Sequence, residues 1–459
     1  MRLEKAWMLA TILVISATSM FTACTSDNDE IPFLPTESFA IDETNFPDDN
    51  FRNYLLKQDY GKDGTLTDDE IRNITVMNVS EMEIKSLKGI ECFTALESLD
   101  CSGNELTTLD VSPNTALVSL DCSYNEQTTL DVSQNTALVS LDCSFNELTS
   151  LDVSKNTVLK KLRCSGNELT TLDVSQITAL LDLDCGFNKI TALDVSKNTS
   201  LTGLECHSNS LSSLDVSMLT ALEHLQCSTN KLTTLDVSKN TALTDLRCGD
   251  NKLTSLDISV NTALIELFCG YNKLTSLDVS KNTVLAYLSC SDNELTSLDV
   301  SKNTALTVLS CGDNELTSLD VSKNTALKNL WCESNKLTAL DISKNTVLDD
   351  LACYVNELTS LDVSKNTALN VLTCCGNQIS GQNMDDLISG LPQHDTSDPN
   401  FFGVYDNSKG DEGNVCTKSQ VAAAKAKGWM PKYLHEYEYE EEDGEIEVGV
   451  EWLEYEGSE

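Results

Sequence analysis

Leu306-Thr-Val-Leu309-Ser-Cys311-Gly-Asp-Asn314 decides the architecture, because its frame, Leu-x-x-Leu-x-Cys-x-x-Asn, returns every 21 residues. The cysteine stands at 101, 122, 143 and onward to 374, fourteen times in all. A fixed period of this length means stacked coils, none of which can bury its apolar face alone. Leu295-Thr-Ser-Leu298-Asp-Val300 repeats the internal spacing with Val in place of Cys, so each 21-residue unit is two half-units. Leu-x-Cys and Leu-x-Val both alternate with the period of a strand, so both sides of each coil are expected to be extended. Fourteen coils at a spacing of ~4.8 Å give on the order of 65 Å of parallel sheet.

Asparagine follows three residues after every ladder cysteine, from Asn104 to Asn377. Its amide suits the backbone groups of a buried corner. A second series, Asn114, Asn135, Asn156 and others, lapses at Ile177 and Leu219, which marks a less demanding corner. The cysteines occupy inward positions and read as small apolar side chains. In-register neighbours sit about one strand spacing, ~4.8 Å, apart, too far for a disulfide. Cys375, beside Cys374, is expected to point outward, and Cys416 is the partner with which it could pair.

The frame resembles a leucine-rich repeat over about two thirds of the chain. Repeats of that family with outer helices bend into a horseshoe. Without helices, the resemblance implies a weakly curved, mainly parallel-β solenoid with capped ends. The general plan is internalin-like, with 21-residue cysteine-containing repeats of the type found in Bacteroidetes.

The 31 basic and 72 acidic residues of the 459-residue chain give a net charge of −41. Nucleic acid is excluded as a partner, since phosphate binding draws on clustered Lys and Arg. Arg2 and Lys5 precede an apolar run from Ala6 to Met20, then Phe21-Thr-Ala-Cys24. This resembles a bacterial lipoprotein signal, implying a lipidated Cys24 and a chain anchored to the membrane without spanning it. Ser26-Asp-Asn-Asp-Glu30 is similar to the acidic tags of surface lipoproteins on Gram-negative outer membranes. The organisation is then a signal peptide over 1–23, a tether over 24–40 and a helical amino-terminal cap over 41–75. The repeats follow over 76–378, a carboxy-terminal α+β cap over 379–434 and an acidic tail over 435–459. Asp443-Gly444 is suited to turn a hairpin in that tail, and its crowded like charges favour disorder equally.

Asp59-Tyr-Gly-Lys-Asp63-Gly64-Thr65-Leu66-Thr67-Asp68-Asp69-Glu70 resembles an EF-hand calcium loop. The resemblance implies Ca2+ held by Asp59, Asp63, the Thr65 carbonyl and Glu70. Gly61 departs from the usual oxygen ligand at the third position. Elsewhere, thirteen aspartates from Asp110 to Asp362 form a second column, read as a solvated face hydrogen-bonded by Ser and Thr. His207 and His224 face outward but stand four strand positions out of step, too far apart to share a metal. No nucleophile elbow, phosphate loop or zincin pattern is present, so the chain reads as a binding protein and not an enzyme.

The residue before each ladder cysteine runs Asp100, Asp121, Asp142, Arg163, Asp184, Glu205, Gln226, then Arg247, Phe268, Ser289, Ser310, Trp331, Ala352, Thr373. Phe268, Tyr271, Tyr287, Trp331 and Tyr354 are the partner-binding residues this pattern selects. The expected function is adhesion to a protein or peptide, host-derived partners included. Glycan capture in an outer-membrane uptake system and a purely structural spacer are the alternatives.

Overall fold

The computed structural model describes residues 38–407, 412–440 and 446–459. The signal peptide, Cys24 and most of the tether lie outside them. Fourteen three-residue strands, Ser98–Asp100 to Val371–Thr373, stack in parallel, each paired with the next in exact 21-residue register, as Leu288 with Leu309. A further three-residue strand, Val76–Asn78, opens the sheet with Met77 opposite Leu99. In strands such as Tyr287–Ser289 and Val308–Ser310 the central leucine is buried and its neighbours are half-exposed, so the outer face is built from the residues flanking it.

All fourteen ladder cysteines are fully buried, and the described cysteines carry no disulfide. Desolvation pushes the thiols far up, which keeps them protonated and unreactive. Cys375 departs from expectation: it is buried. The sheet continues past it into the cap, where Asn400–Asp406 takes the next place, and Cys375 N–H donates to the Gly403 carbonyl at 3.2 Å. The cap therefore covers this position, as the following coil covers Ser123, Ser144 and Ser165.

The second half-units do not form strands. In 295–306 the backbone closes turns within one coil: Asn303 N–H to Val300 O at 3.0 Å, then Leu306 N–H to Asn303 O at 3.1 Å. Asp299 Oδ1 accepts from Ser301 N–H at 2.9 Å, a local turn of the Asx kind. The alternation is real, since Leu298 and Val300 point inward, yet inter-coil pairing belongs to one side only.

At the amino end, helix α1 (Asp49–Lys57) is capped by Asp48 and buries Phe51 and Leu55. Phe46 packs edge-on to Phe51 at 5.7 Å. Gly89 (φ +105°) passes so close that a Cβ would lie 2.3 Å from the Phe46 ring. Helix α2 (Asp68–Asn73) starts in a capping box between Thr67 and Glu70. At the carboxy end, helices α3 (Gln382–Gly390) and α4 (Lys418–Ala426) flank strands Asn400–Asp406 and Trp429–Glu440. Asn414 takes the place of a further ladder asparagine, accepting from Ile379 N–H at 2.8 Å and donating to Cys374 O at 2.8 Å. The cap thus satisfies the last coil's backbone as another coil would. Residues 435–440 belong to the strand Trp429–Glu440, which pairs antiparallel with Ile446–Glu454. The segment expected as a separate tail is therefore continuous with the cap's sheet.

Candidate functional site

The outer strand face is the broad surface left by the stacking, and its two halves differ. Over the first coils the residue before each cysteine is acidic, and its carboxylate accepts from the residue two further on. Asp121 Oδ1 takes Ser123 N–H at 3.0 Å and its hydroxyl at 2.6 Å. Burial nonetheless raises the Asp121 carboxyl, helped by the like charges of Asp142 and Asp100.

Over the later coils the face turns aromatic. Phe268 and Tyr287, on adjacent strands, stack with ring centroids 4.5 Å apart. The Arg247 guanidinium lies over the other face of Phe268 at 4.5 Å and is held there by Glu266 at 3.0 Å and Asp245 at 3.2 Å. The pattern of residues before each cysteine contained Arg247, but its role depends on register: it meets Phe268 because position i touches i + 21. Trp331 stands apart, its Nε1–H donating to Asp350 at 3.0 Å. Tyr354 is half-buried near Glu333, whose carboxyl is pushed up to about 7 by burial and by Asp313, Asp292 and Asp350. Tyr271 is exposed, and its hydroxyl donates to the Asp292 carboxylate at the coil corner. Of the five selected aromatics, only Phe268 and Tyr287 come together.

Other exposed rings at the corner of Tyr271, two residues past the cysteine, escaped the sequence reading. Tyr124 and Phe145 stack at 4.5 Å there, on backbone with φ of 53° and 52°. Gly166, next in that row (φ +66°), leaves room for the Phe145 ring, which a Cβ would approach to 2.7 Å.

The aspartate column of the second half-units is solvated as expected. Asp236 is typical: Ser238 N–H donates to its Oδ1 at 2.9 Å, and the Ser238 hydroxyl helps hold the carboxyl below its usual range.

In the helix-loop-helix of the amino-terminal cap, Asp59 is exposed and paired with Lys62. Asp63 Oδ1 accepts from Thr65 N–H at 3.0 Å, while Glu70 accepts from Thr67 N–H at 2.8 Å. These carboxylates are committed to separate local tasks. Among the described residues the one trio of metal-ligating atoms within 4.8 Å of one another is Asp184, Glu205 and His207. Gly61 is fixed by packing, because a Cβ would fall 2.1 Å from the Leu55 carbonyl oxygen.

No helix of the described residues is long and apolar enough to cross a membrane. No family model matches the chain. It is similar to Internalin J of Listeria monocytogenes serotype 4b (strain F2365), at 41% identity over 71 residues, and this match spans 15% of the chain and 8% of Internalin J. Among solved structures, the functional domain of InlJ from Listeria monocytogenes, which includes a cysteine ladder, superposes with a TM-score of 0.64. That match has 30% identity and covers 91% of this chain and 92% of that one. A leucine-rich-repeat protein of Leptospira interrogans superposes with a TM-score of 0.63 at 25% identity, over 71% of this chain and 95% of that one.

Proposed function

Since the chain belongs to the internalin-like family of leucine-rich-repeat proteins, we propose that it is a surface-displayed adhesion protein recognising a protein or peptide through its outer strand face. Its amino-terminal sequence supports anchorage by lipidation of Cys24 on the outer membrane, with the repeats held outward. The observation that carries the reading is the column Arg247–Phe268–Tyr287, which lies on the outer face and does not help to fill the core. Arginine and aromatic side chains clustered on a rigid surface are the residue types that dominate protein interfaces.

The same column weighs against glycan stacking at this point. A sugar ring needs an open aromatic face, and Phe268 has Arg247 on one face and Tyr287 on the other. A protein partner can instead use the ring edges, the guanidinium and the acidic groups around Trp331.

The test is retention of the purified chain on immobilised cell-surface extracts treated with protease or with glycosidase. Protease should abolish retention and glycosidase spare it, and Phe268→Ala with Trp331→Ala should reduce it on the order of 10–100-fold. Retention that resists protease and is lost with glycosidase would establish the glycan reading. Undiminished retention by the double variant would leave the face a spacer.

A further inference from the structure

We propose that Asp184, Glu205 and His207 form a binding site for a borderline divalent cation of the Zn2+ type on the acidic half of the outer face. Asp184 and Glu205 are cross-strand neighbours in register, and His207 follows Glu205 on the same side of its coil. One ligand atom from each lies within 4.8 Å of the others, and His207 Nε2 is 3.9 Å from Glu205 Oε2. Zn2+ bonds of about 2.0–2.2 Å require the three to draw in by roughly an ångström, which rotation of two carboxylates supplies.

The imidazole is held for this task from three directions. Gly186 stands where the four preceding coils carry serine, and a Cβ there would lie 2.7 Å from the ring's Cε1 and Nε2. Phe187 meets the ring edge-on at 4.8 Å and 86°. Nδ1 lies 3.4 Å from Ser208 Oγ, which leaves Nε2 for the carboxylates. That arrangement of an outer polar group on one nitrogen and ligand on the other is how metal-binding histidines are oriented.

The loss of serine at 186 also leaves Asp184 with one donor, Gly186 N–H at 3.0 Å, where Asp121 has two. Arg163 is the nearest competing cation, but its ion pair is with Asp182 at 3.7 Å. Two carboxylates and an imidazole suit Zn2+, Co2+ or Mn2+, whereas Ca2+ and Mg2+ favour all-oxygen sets.

With four histidines in the chain, the imidazole resonances of the full protein separate this site from surface carboxylates and buried thiols. Titration with Zn2+ should shift the His207 ring signal, with His224 unmoved and Mg2+ without effect. Glu205→Gln should weaken the response on the order of 10–100-fold, and Gly186→Ser should abolish it by displacing the ring. A His207 signal that ignores Zn2+, or a shift that survives in the Asp184→Asn, Glu205→Gln double variant, would overturn the site. This outcome is independent of whether the aromatic half binds a protein.

Discussion

Two asparagine series run the length of the solenoid, and they are partnered differently. In the first, each amide is used at both ends: Asn251 Oδ1 accepts from Leu232 N–H at 2.9 Å, while its Nδ2 serves the carbonyls of Cys227, Cys248 and Gly249 at 3.0–3.2 Å. In the second, Asn261 Nδ2 donates to Val237 O at 3.1 Å and Asn240 O at 2.8 Å, but its buried Oδ1 has no partner. The same orphaned oxygen recurs at eleven positions from Asn114 to Asn366. A buried acceptor left unmet costs about 1–3 kcal/mol, which offsets what the donor side contributes. Hence the first series is unbroken, and the second tolerates buried Ile177 and Leu219. Continuity along a repeat measures how completely a side chain is satisfied.

The largest effect should come from breaking the satisfied series. Asn251→Ala leaves the buried Leu232 N–H without its partner and removes one of the donors that serve the Cys227, Cys248 and Gly249 carbonyls, a loss of about 4 kcal/mol. A repeat array need not unfold in one step, so amide exchange of the flanking coils is the suitable measurement. Protection that changes no more than at a surface control would refute the contrast.

Gln127 is the extreme opposite case. It replaces a leucine of the column, is fully buried, and neither end of its amide has a partner. Gln127→Leu, restoring the residue found at 106 and 148, should stabilise by about 3 kcal/mol, read as a higher denaturant midpoint. A lower midpoint would mean the amide is satisfied after all.

Asn335, in the first series, pins Glu333 by donating to its carbonyl at 3.0 Å, which holds the side chain over Gly312, partly out of water. Folding lifts the Glu333 carboxyl from 4.5 to about 7, so between those values the native state binds the additional proton. Stability at this residue therefore falls as pH rises through that window and levels off above it. Glu333→Gln should gain on the order of 2 kcal/mol at pH 8 and nothing below pH 4. A gain equal at both pH values would show that ionisation is not the cause.

Relaxing the half-satisfied series should cost less. Asn261→Leu removes two donated bonds but also the orphaned oxygen, and should destabilise by about 1 kcal/mol. A loss matching that of Asn251→Ala would erase the distinction.

The period made the inward leucines, the thiols and both asparagine series legible, because each is dictated by burial within a single coil. Strand pairing was not, since Leu298 and Leu309 sit in the same alternation while only the latter's coil side forms a ladder. What distinguishes them is the pair of backbone turns at Asn303 and Leu306, which the alternation does not carry. The outer face was half legible. Phe268 and Tyr287 could be named, but Arg247 above Phe268 and His207 beside Glu205 required knowing which positions of successive coils touch. The sequence comparison of His207 with His224 posed the wrong pairing: the imidazole's neighbours are carboxylates.

The smallest effect belongs to calcium at the amino-terminal cap, which has no repeat to enforce its geometry. Binding there must open the Thr67–Glu70 capping box and draw Asp59 from Lys62, so affinity should be weak, on the order of 10⁻⁴–10⁻³ M. Chelator should leave amide exchange of the ladder coils unmoved, and Glu70→Gln should remove the calcium response of the cap. Gly61→Asp is the sharper probe. In an open loop it would supply the third oxygen ligand and tighten binding, but here its Cβ meets the Leu55 carbonyl oxygen at 2.1 Å. It should therefore destabilise the cap with or without Ca2+. Tighter binding by that variant would show that the loop rearranges freely around the ion, as no coil of the ladder can.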